Sequence, residues 1–345
     1  MKFLLKIIFL TFNVSLLAGG TPLEIEISIG AGYDDNAMRF SDNEISEAAK
    51  RIGMMGGAKT FDSFITKWGI SALKELMINR KKSIKLRGFY SLSDYRDTPE
   101  KRYWSGGFDL SYRWGSYRNI KYSIRHLDEF YLRHYINRDV SVSDLAACVF
   151  TDRNQNVTLT HRLSKLIWIN ISPGYLQRYF SRPFTEFDLD IVYLKGRINY
   201  KLKNIGSVAL QINRGKANNI SYSSQLRPSS FDRSYETVET FIPIKVNKNL
   251  PILSEIGVSL RTEYRVYEAE DVNDPLHSGR SHMDSKYDIW LKKKLTEDIG
   301  ITLTSRYRTR TTDSSYNWVN DLKSFKQLQF WFNICLLYTS DAADE

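Results

Sequence analysis

Residues 256–267 read Ile-Gly-Val-Ser-Leu-Arg-Thr-Glu-Tyr-Arg-Val-Tyr, and this stretch decides the fold class. Side chains alternate between the two faces of a β-strand. One face would therefore be apolar with an aromatic residue near its end: Ile256, Val258, Leu260, Thr262, Tyr264 and Val266. The other face would carry charge at consecutive same-face positions: Gly257, Ser259, Arg261, Glu263, Arg265 and Tyr267. The pattern predicts a strand with an apolar environment on one side and a polar one on the other.

Segments of this kind recur along nearly the whole chain, and short and long connections between them alternate. Reading for a period of two and for turn residues places about fourteen strands. Residues 114–119, 203–206 and 296–298 are short connections, whereas long polar connections follow the odd-numbered strands. An even strand number with short turns at one end and long loops at the other is typical of transmembrane barrels. The sequence predicts an all-β fold, a single antiparallel up-and-down transmembrane β-barrel over residues 21–334.

The composition fits a barrel, although a secreted soluble β protein remains the alternative. Aromatic residues make up 13% of the chain, with 21 Tyr and 7 Trp, and such residues form girdles at both membrane interfaces. After the first residues, no run of apolar residues is long enough for a spanning helix. Strands are therefore the expected membrane-crossing elements.

Both ends of the chain are predicted to lie outside the natural barrel. Residues 1–20 have Lys2 and Lys6, then a short apolar stretch, then small residues, which is the pattern of a secretory signal peptide. Residues 335–345 resemble a translated sequencing adapter and are expected to be an artefact tail.

The formal net charge of +10, from 49 basic and 39 acidic residues, favours acidic partners. A signal peptide directs the chain away from the cytoplasm, and the basic residues are dispersed, so nucleic acid is not expected. Outer-membrane lipid, lipopolysaccharide phosphates and small anionic or polar solutes are the expected partners, and the oligomeric state is open.

Charged side chains assign the two faces of the strands. A Lys or Arg on the lipid face at mid-membrane costs roughly 2 to 4 kcal/mol, so faces rich in cations are assigned to the lumen. The predicted pore-lining residues are Lys85, Arg87, Arg113, Lys121, Arg125, Arg261, Glu263, Arg265, Lys292, Lys294, Arg306 and Arg308. Asp109, Glu263 and Asp288 are lumen acids expected to pair with this set. Lys293 is expected to point outward near the periplasmic interface, where it can reach the headgroups.

The first long connection, residues 34–63, contains a helical signal. Residues 41–44 read Ser-Asp-Asn-Glu, which predicts a capping box, and the helix that follows places Ile45, Ala48, Ala49, Ile52 and Met55 on one face. The apolar face needs a partner. Two positions are open: a constriction or plug at the barrel mouth, or a helix that lies on the rim.

Catalytic and metal sites are not expected. His277 and His282 are assigned to a loop with Asp274, Ser278, Ser281 and Asp284, which has the residue types of an acid–base site, but solvated loop residues explain the same pattern. The histidines show no zinc-binding spacing. No catalytic residue, metal or cofactor is predicted.

The pattern over nearly the whole mature chain resembles bacterial outer-membrane β-barrels, with porin-like channels and fatty-acid-transporter-like barrels as the nearest types. No short motif selects a subfamily. The resemblance implies the bacterial outer membrane and, with the basic lumen, a passive channel for small polar or anionic solutes. A non-conducting structural or adhesive barrel is the first alternative, and an outer-membrane hydrolase is the second.

Overall fold

The computed structural model describes residues 21–141, 143–221, 231–248 and 250–339. The predicted signal peptide, residues 1–20, lies outside this part of the chain, and so do residues 340–345 of the predicted tail. Both assignments therefore stay predictions.

Strands dominate the described residues. They are β1 (Glu24–Asp34), β2 (Ser63–Asn79), β3 (Lys82–Tyr95), β4 (Tyr103–Gly115), β5 (Arg118–Ile136), β6 (Leu145–Arg162), β7 (Ile167–Phe180), β8 (Leu189–Leu202), β9 (Gly206–Asn219), β10 (Tyr235–Val246), β11 (Glu255–Tyr267), β12 (Ser281–Lys294), β13 (Ile299–Asp313) and β14 (Phe325–Thr339). Two helices lie in connections, α1 (Asp42–Lys50) and α2 (Asn317–Lys323). Short 3₁₀ turns occur at Ile52–Met55, Pro99–Lys101 and Thr185–Phe187.

The strands form one closed sheet. Each strand pairs antiparallel with its neighbours in sequence, and β1 also pairs with β14. The register of this closing pair runs from Glu24 opposite Thr339 to Asp34 opposite Gln329. The predicted up-and-down barrel of fourteen strands, with a short helix in the first long connection, is confirmed.

β14 continues past residue 334, where the barrel was predicted to end. Cys335–Thr339 keep the alternation of the strand and pair with residues 24–28 of β1. Leu336 and Tyr338 lie on the outer face, 46% and 44% exposed. Residues 335–339 are thus part of the closing strand pair in this structure, and the adapter origin of the tail stays a prediction.

The outer surface of the barrel is apolar. On β11, Val258 and Tyr264 are 43% and 49% exposed, whereas Ser259 on the opposite face is buried, so the two predicted faces of this strand are present. The same outward apolar row recurs on the other strands. A continuous apolar belt of this size is unfavourable in water, and it fits the hydrocarbon core of a membrane. No helix within the described residues is long and apolar enough to cross a membrane.

Local hydrogen bonds begin α1 where the sequence predicts. The Glu44 N–H donates to the Ser41 hydroxyl at 3.1 Å, and the Ser41 N–H donates to the Glu44 carboxylate at 3.0 Å. This reciprocal pair is a capping box, which satisfies N–H groups that a helix otherwise leaves without partners.

The apolar face of α1 packs against the barrel wall. Ala48 of α1 is buried in one cluster with Tyr131 of β5, and Ile45 of α1 packs against that cluster. Met55, predicted to lie on the same helix, belongs to the following 3₁₀ turn and is buried in the same cluster. The side chains of Ala49 and Ile52, which the sequence places on the same face, lie outside the described part of the structure.

The assignment of faces predicts different effects for two adjacent substitutions. Ile212→Arg puts a guanidinium on the lipid face of β9, where Ile212 is 51% exposed, and we expect it to lower the free energy of unfolding by about 2–4 kcal/mol. Asn213→Arg is the matched control, because Asn213 lies on the inner face opposite Glu239. Urea titration of the barrel in lipid vesicles, followed by tryptophan fluorescence, measures both. Equal losses would contradict the assignment.

Candidate functional site

The predicted pore-lining side chains lie on the inner faces of their strands. On β13, Arg306 and Arg308 alternate with the outward residues Leu303 and Tyr307, which are 48% and 40% exposed. The same alternation places the predicted cations of β3, β4, β5, β11 and β12 inside. Lys293 lies on the opposite face of β12 from Lys292 and Lys294, at the end of the strand near the short turn to β13.

Most of these cations are paired with acids of the barrel wall, on a nearby strand or, for Arg265, on the same strand. The pairs are Lys85 and Arg113 with Glu75 (2.9 and 3.0 Å), Arg125 with Asp109 (2.7 Å), Arg261 with Glu239 (3.1 Å), Arg265 with Glu263 (2.6 Å), Lys292 with Glu255 (3.4 Å), Arg306 with Asp288 (2.6 Å), and Arg308 with Asp284. Sequence reasoning named Asp109, Glu263 and Asp288 but missed the other acids as lumen partners. Pairing across strands depends on register, which the sequence does not show locally.

A different arrangement occupies the wall built by β5 to β9. Lys121 of β5 lies on one side, and Lys195 and Arg197 of β8 lie on the other. Within the described residues, no carboxylate lies at ion-pair distance from these three cations. The floor between them consists of amide and hydroxyl side chains of β6 and β7: Asn156, Thr158, Asn170 and Ser172. Together with Ser123, Gln211 and the paired Arg125, these residues line a cavity of about 300 Å³, which we call the basic cradle.

The register of the sheet sets the width of the basic cradle. Lys121 lies opposite Thr158, and Ser172 lies opposite Lys195. Because adjacent strands are about 4.8 Å apart, the β5 and β8 backbones are separated by roughly 14 Å. The cations of β5 and β8 lie on the two sides of this strip of wall, and a small solute could contact both sides at once.

A relay of hydrogen bonds orients Arg197. Its Nε–H donates to Asn199 Oδ1 at 2.8 Å, and Asn199 Nδ2 donates to Asn170 Oδ1 at 2.7 Å. Asn170 Nδ2 in turn donates to Thr160 Oγ1 at 2.7 Å. The relay uses only Nε of the guanidinium, and in the described part of the chain Nη1 and Nη2 have no protein partner. Because Arg197 lines the cavity, these two donor groups are left to bind a solute there.

Sequence reasoning missed Lys195 and Arg197. The alternation of apolar and charged residues along a strand, which identifies the other cations, could have identified them too. Leu194 and Ile198, 56% and 45% exposed, alternate with them on β8.

The first long connection crosses the mouth at the end opposite the short turns, which is the extracellular end in such barrels. On one side, Asn36 Nδ2 donates to the Lys326 carbonyl of β14 at 2.9 Å. On the other side, Glu44 of α1 pairs with Arg133 of β5 at 2.6 Å. Four strands, β1 to β4, lie between β14 and β5 in the barrel. Because the connection is held at both places, it spans part of the opening and narrows it.

Buried cations gather beneath this connection. Lys101 is only 2% exposed, and it donates to the Ala37 carbonyl. Burial, with Arg39 nearby, lowers the pKa of Lys101 to about 7. Burial, with Arg133 nearby, lowers the pKa of Lys323 in α2 to about 7. Near pH 7 both lysines are therefore only partly protonated, and their positive charge at the mouth is lost as the pH rises.

The histidine cluster proposed as a catalytic alternative has a different geometry. His277 Nδ1 lies 2.7 Å from Asp274 Oδ2, and Arg233 Nη1 donates to His277 Nε2 at 2.9 Å. Because arginine only donates, Nε2 accepts and Nδ1 carries the proton. Burial, with Arg233 and Arg280 nearby, holds the pKa of His277 well below its usual value, and burial raises the pKa of Asp274 to about 6.

The remaining members of that predicted loop site are not arranged as predicted. Ser281, His282 and Asp284 belong to β12 and not to the loop. Asp284 pairs with Arg308 and Arg310. Arg233 donates to the accepting nitrogen of His277, so this nitrogen is not free to act as a base. The hydrogen bond between Asp274 and His277 links two residues of the connection between β11 and β12. Within the described residues, no group of His, Cys, Asp and Glu side chains could hold a metal ion.

No family model and no curated protein matches this chain. Solved structures match it over most of its length. A structure described as a bacterial polysaccharide outer membrane secretin shares 8% identity, with a TM-score of 0.48, over 91% of this chain and 98% of that chain. The outer membrane protein OprD from Pseudomonas aeruginosa shares 8%, with a TM-score of 0.40, over 94% and 96%. A loop L8 deletion mutant of OmpT from Vibrio cholerae shares 7%, with a TM-score of 0.42, over 92% and 99%.

Three features of the structure itself identify its class. The sheet is closed with an even number of antiparallel strands, the outer face is an apolar belt, and the inner face is polar and charged. Backbone groups inside hydrocarbon must all be paired, and a closed barrel is the β structure that meets this condition. The chain is a closed, antiparallel transmembrane β-barrel of fourteen strands within the described residues.

Proposed function

We propose that this barrel is a channel for passive diffusion of small polar or anionic solutes across the outer membrane. The observation that carries the proposal is the basic cradle, a group of cations without acidic partners on the wall of a lumen whose other charges are mostly paired. An ion pair presents little net charge to a passing solute, whereas an unpaired cation lowers the barrier for an anion.

The unequal pairing of lumen charges adds to this bias. Glu75 serves both Lys85 and Arg113, and Asp284 serves both Arg308 and Arg310. Each of these clusters therefore keeps an excess positive charge. Arg87 of β3 has no acid at ion-pair distance within the described residues and adds another.

A specific observation also favours a second candidate. The first connection narrows the mouth and is held there by a buried ion pair between Glu44 and Arg133. A barrel that stays closed in this way would be non-conducting and would act through its external surface. The catalytic alternative has less support, because Arg233 occupies the accepting nitrogen of His277.

The first test is a bilayer recording of the refolded barrel across a potassium chloride gradient. We expect stable current steps and a reversal potential displaced toward the chloride equilibrium potential, because the lumen retains unpaired cations. A folded barrel without current would favour the non-conducting candidate. Steps with a cation-biased reversal potential would contradict the role of the lumen cations.

Arg87→Glu tests the source of the anion preference. A unit charge at about 10 Å in water contributes about 0.4 kcal/mol, so a charge reversal changes the barrier by about 0.8 kcal/mol for each ion, in opposite directions for chloride and potassium. We expect the chloride-to-potassium permeability ratio to fall by about tenfold at low salt and by less as salt screens the charge. Lys203→Glu makes the same change of net charge in the exposed turn between β8 and β9 and is the control. If the two variants shift the reversal potential equally, the anion preference does not depend on the position of Arg87 in the lumen.

Glu44→Gln tests whether the first connection limits the current. Glutamine can preserve the capping box, but it leaves Arg133 without its charged partner, and breaking a buried ion pair costs about 3 kcal/mol or more. We expect larger and noisier single-channel currents. Glu47→Gln is the control, because Glu47 pairs with Lys50 on the exposed side of the same helix. Unchanged currents in both variants would show that the connection does not limit conduction.

A further inference from the structure

We propose that the basic cradle is a binding subsite for hydroxylated carboxylates of monosaccharide size, such as a hexuronate. The inference rests on the proposed channel function and names the solute class that the lumen wall would select. It is carried by the joint presence of unpaired cations and an uncharged hydrogen-bonding floor in one cavity.

Arg197 supplies an oriented anchor for the carboxylate. Its guanidinium is held through Nε by Asn199, and the two terminal nitrogens of this cavity-lining residue have no partner in the described part of the chain. Two parallel N–H donors match the two oxygens of a carboxylate in a bidentate contact. Lys195 lies on the same face of β8, so a second cation stands beside the anchor. Pre-orientation reduces the entropy that a solute must overcome on binding.

The floor suits hydroxyl groups. Side-chain amides and hydroxyls both donate and accept hydrogen bonds, as sugar hydroxyls do. Asn156 and Asn170 provide the amides, and Thr158 Oγ1 lies 2.8 Å from Ser172 Oγ. The floor faces the lumen between the two sets of cations. A solute with a carboxylate at one end and hydroxyls along its body would meet a matching partner at each position.

The lining also disfavours other classes of anion. It contains no acidic side chain, so the ammonium group of an amino acid would find no counter-charge. It contains no large aliphatic side chain, so a fatty acid would gain little from burial. The volume of about 300 Å³ lies at the lower limit of small-molecule pockets, which favours a single sugar unit.

An aromatic ring borders the cradle. The Tyr193 hydroxyl donates to Asn154 Oδ1 at 2.7 Å, and Lys195 Nζ lies 5.4 Å from the ring centroid. The ring lies over Gly174 of β7, where a Cβ would come within 2.2 Å of Tyr193 Cζ. The absence of a side chain at Gly174 lets the ring lie against the wall. The ring is buried, so its contribution is to fix the wall beside Lys195.

Calorimetry on the refolded barrel in detergent micelles tests binding without requiring current. The probes are sodium D-galacturonate, neutral D-galactose and sodium acetate at constant ionic strength. We expect galacturonate to bind at least about tenfold more tightly than either of the others, because only galacturonate engages both the cations and the floor. Equal affinity for galacturonate and acetate would overturn the proposal.

Substitutions separate the cradle from the general field of the lumen. Lys195→Gln with Arg197→Gln should weaken galacturonate binding by about tenfold or more, whereas Arg87→Gln removes an unpaired lumen cation outside the cradle and should have little effect. Asn156→Ala should weaken galacturonate and leave acetate unchanged. If Arg87→Gln weakens binding as much as the double substitution does, a diffuse field is responsible and the subsite is wrong.

A conservative variant keeps the test valid if the double variant does not fold. Arg197→Lys retains the charge but loses the fork of donors, so it should also weaken galacturonate binding, with folding checked by heat-modifiable migration on a gel. Unchanged binding in Arg197→Lys would contradict the bidentate anchor. A conducting barrel that does not bind galacturonate overturns only the subsite. A barrel that binds galacturonate without conducting overturns the passive channel and leaves the subsite in place.

Discussion

The pairing of β1 with β14 is the constraint on which the rest of the structure depends. An open sheet edge in hydrocarbon would leave N–H and C=O groups without partners, at several kcal/mol for each group. The closing pair uses the full length of β1, and residues 335–339 of β14 pair with its first half. Closure also defines an inside and an outside. The distinction between lipid-facing and lumen-facing side chains follows from this closure.

Closure brings the inward charges close together, and the lumen responds in two ways. Around most of the wall, acids on adjacent strands lie within reach of the cations, as Glu239 does for Arg261 and Asp288 does for Arg306. In the basic cradle, amides and hydroxyls take the place of acids around Lys121, Lys195 and Arg197, and within the described residues these three cations have no acid at ion-pair distance. Unpaired cations are thus concentrated in this part of the wall, and Arg87 of β3 adds another elsewhere. This unequal distribution favours a channel with a local site for anions over a pore whose wall is uniformly charged.

Two regions would act in series on an entering solute. The first is the mouth, where the first connection is held between β14 and β5 and the partly protonated Lys101 lies beneath it. The second is the basic cradle, nearer the short-turn ends of β7 and β8. An anion would be attracted at the mouth and would then meet the cations of the cradle. The Asp274–His277 pair lies in the connection between β11 and β12, and Arg233 donates to the accepting nitrogen of the histidine.

Much of this protein follows from the sequence alone. Alternation along β11 is enough to predict the strand, its two faces and the class of barrel, because side-chain direction in a strand is a local property. The capping box of α1 is local in the same sense, since Ser41 and Glu44 are close in the chain. The sequence prediction ends the last strand at residue 334, because it assigns residues 335–345 to a tail. In the structure β14 continues to Thr339.

Tertiary structure alone decided which charges meet. Whether Arg261 is free or paired depends on the register between β10 and β11, and the sequence of one strand carries no information about it. The basic cradle combines Lys121 with Lys195 across β6 and β7, so it exists only once three successive registers are set. His277 likewise meets Arg233 from a separate connection. The sequence by itself determined the fold and the faces because these depend on neighbours in the chain, whereas the site depends on neighbours in space.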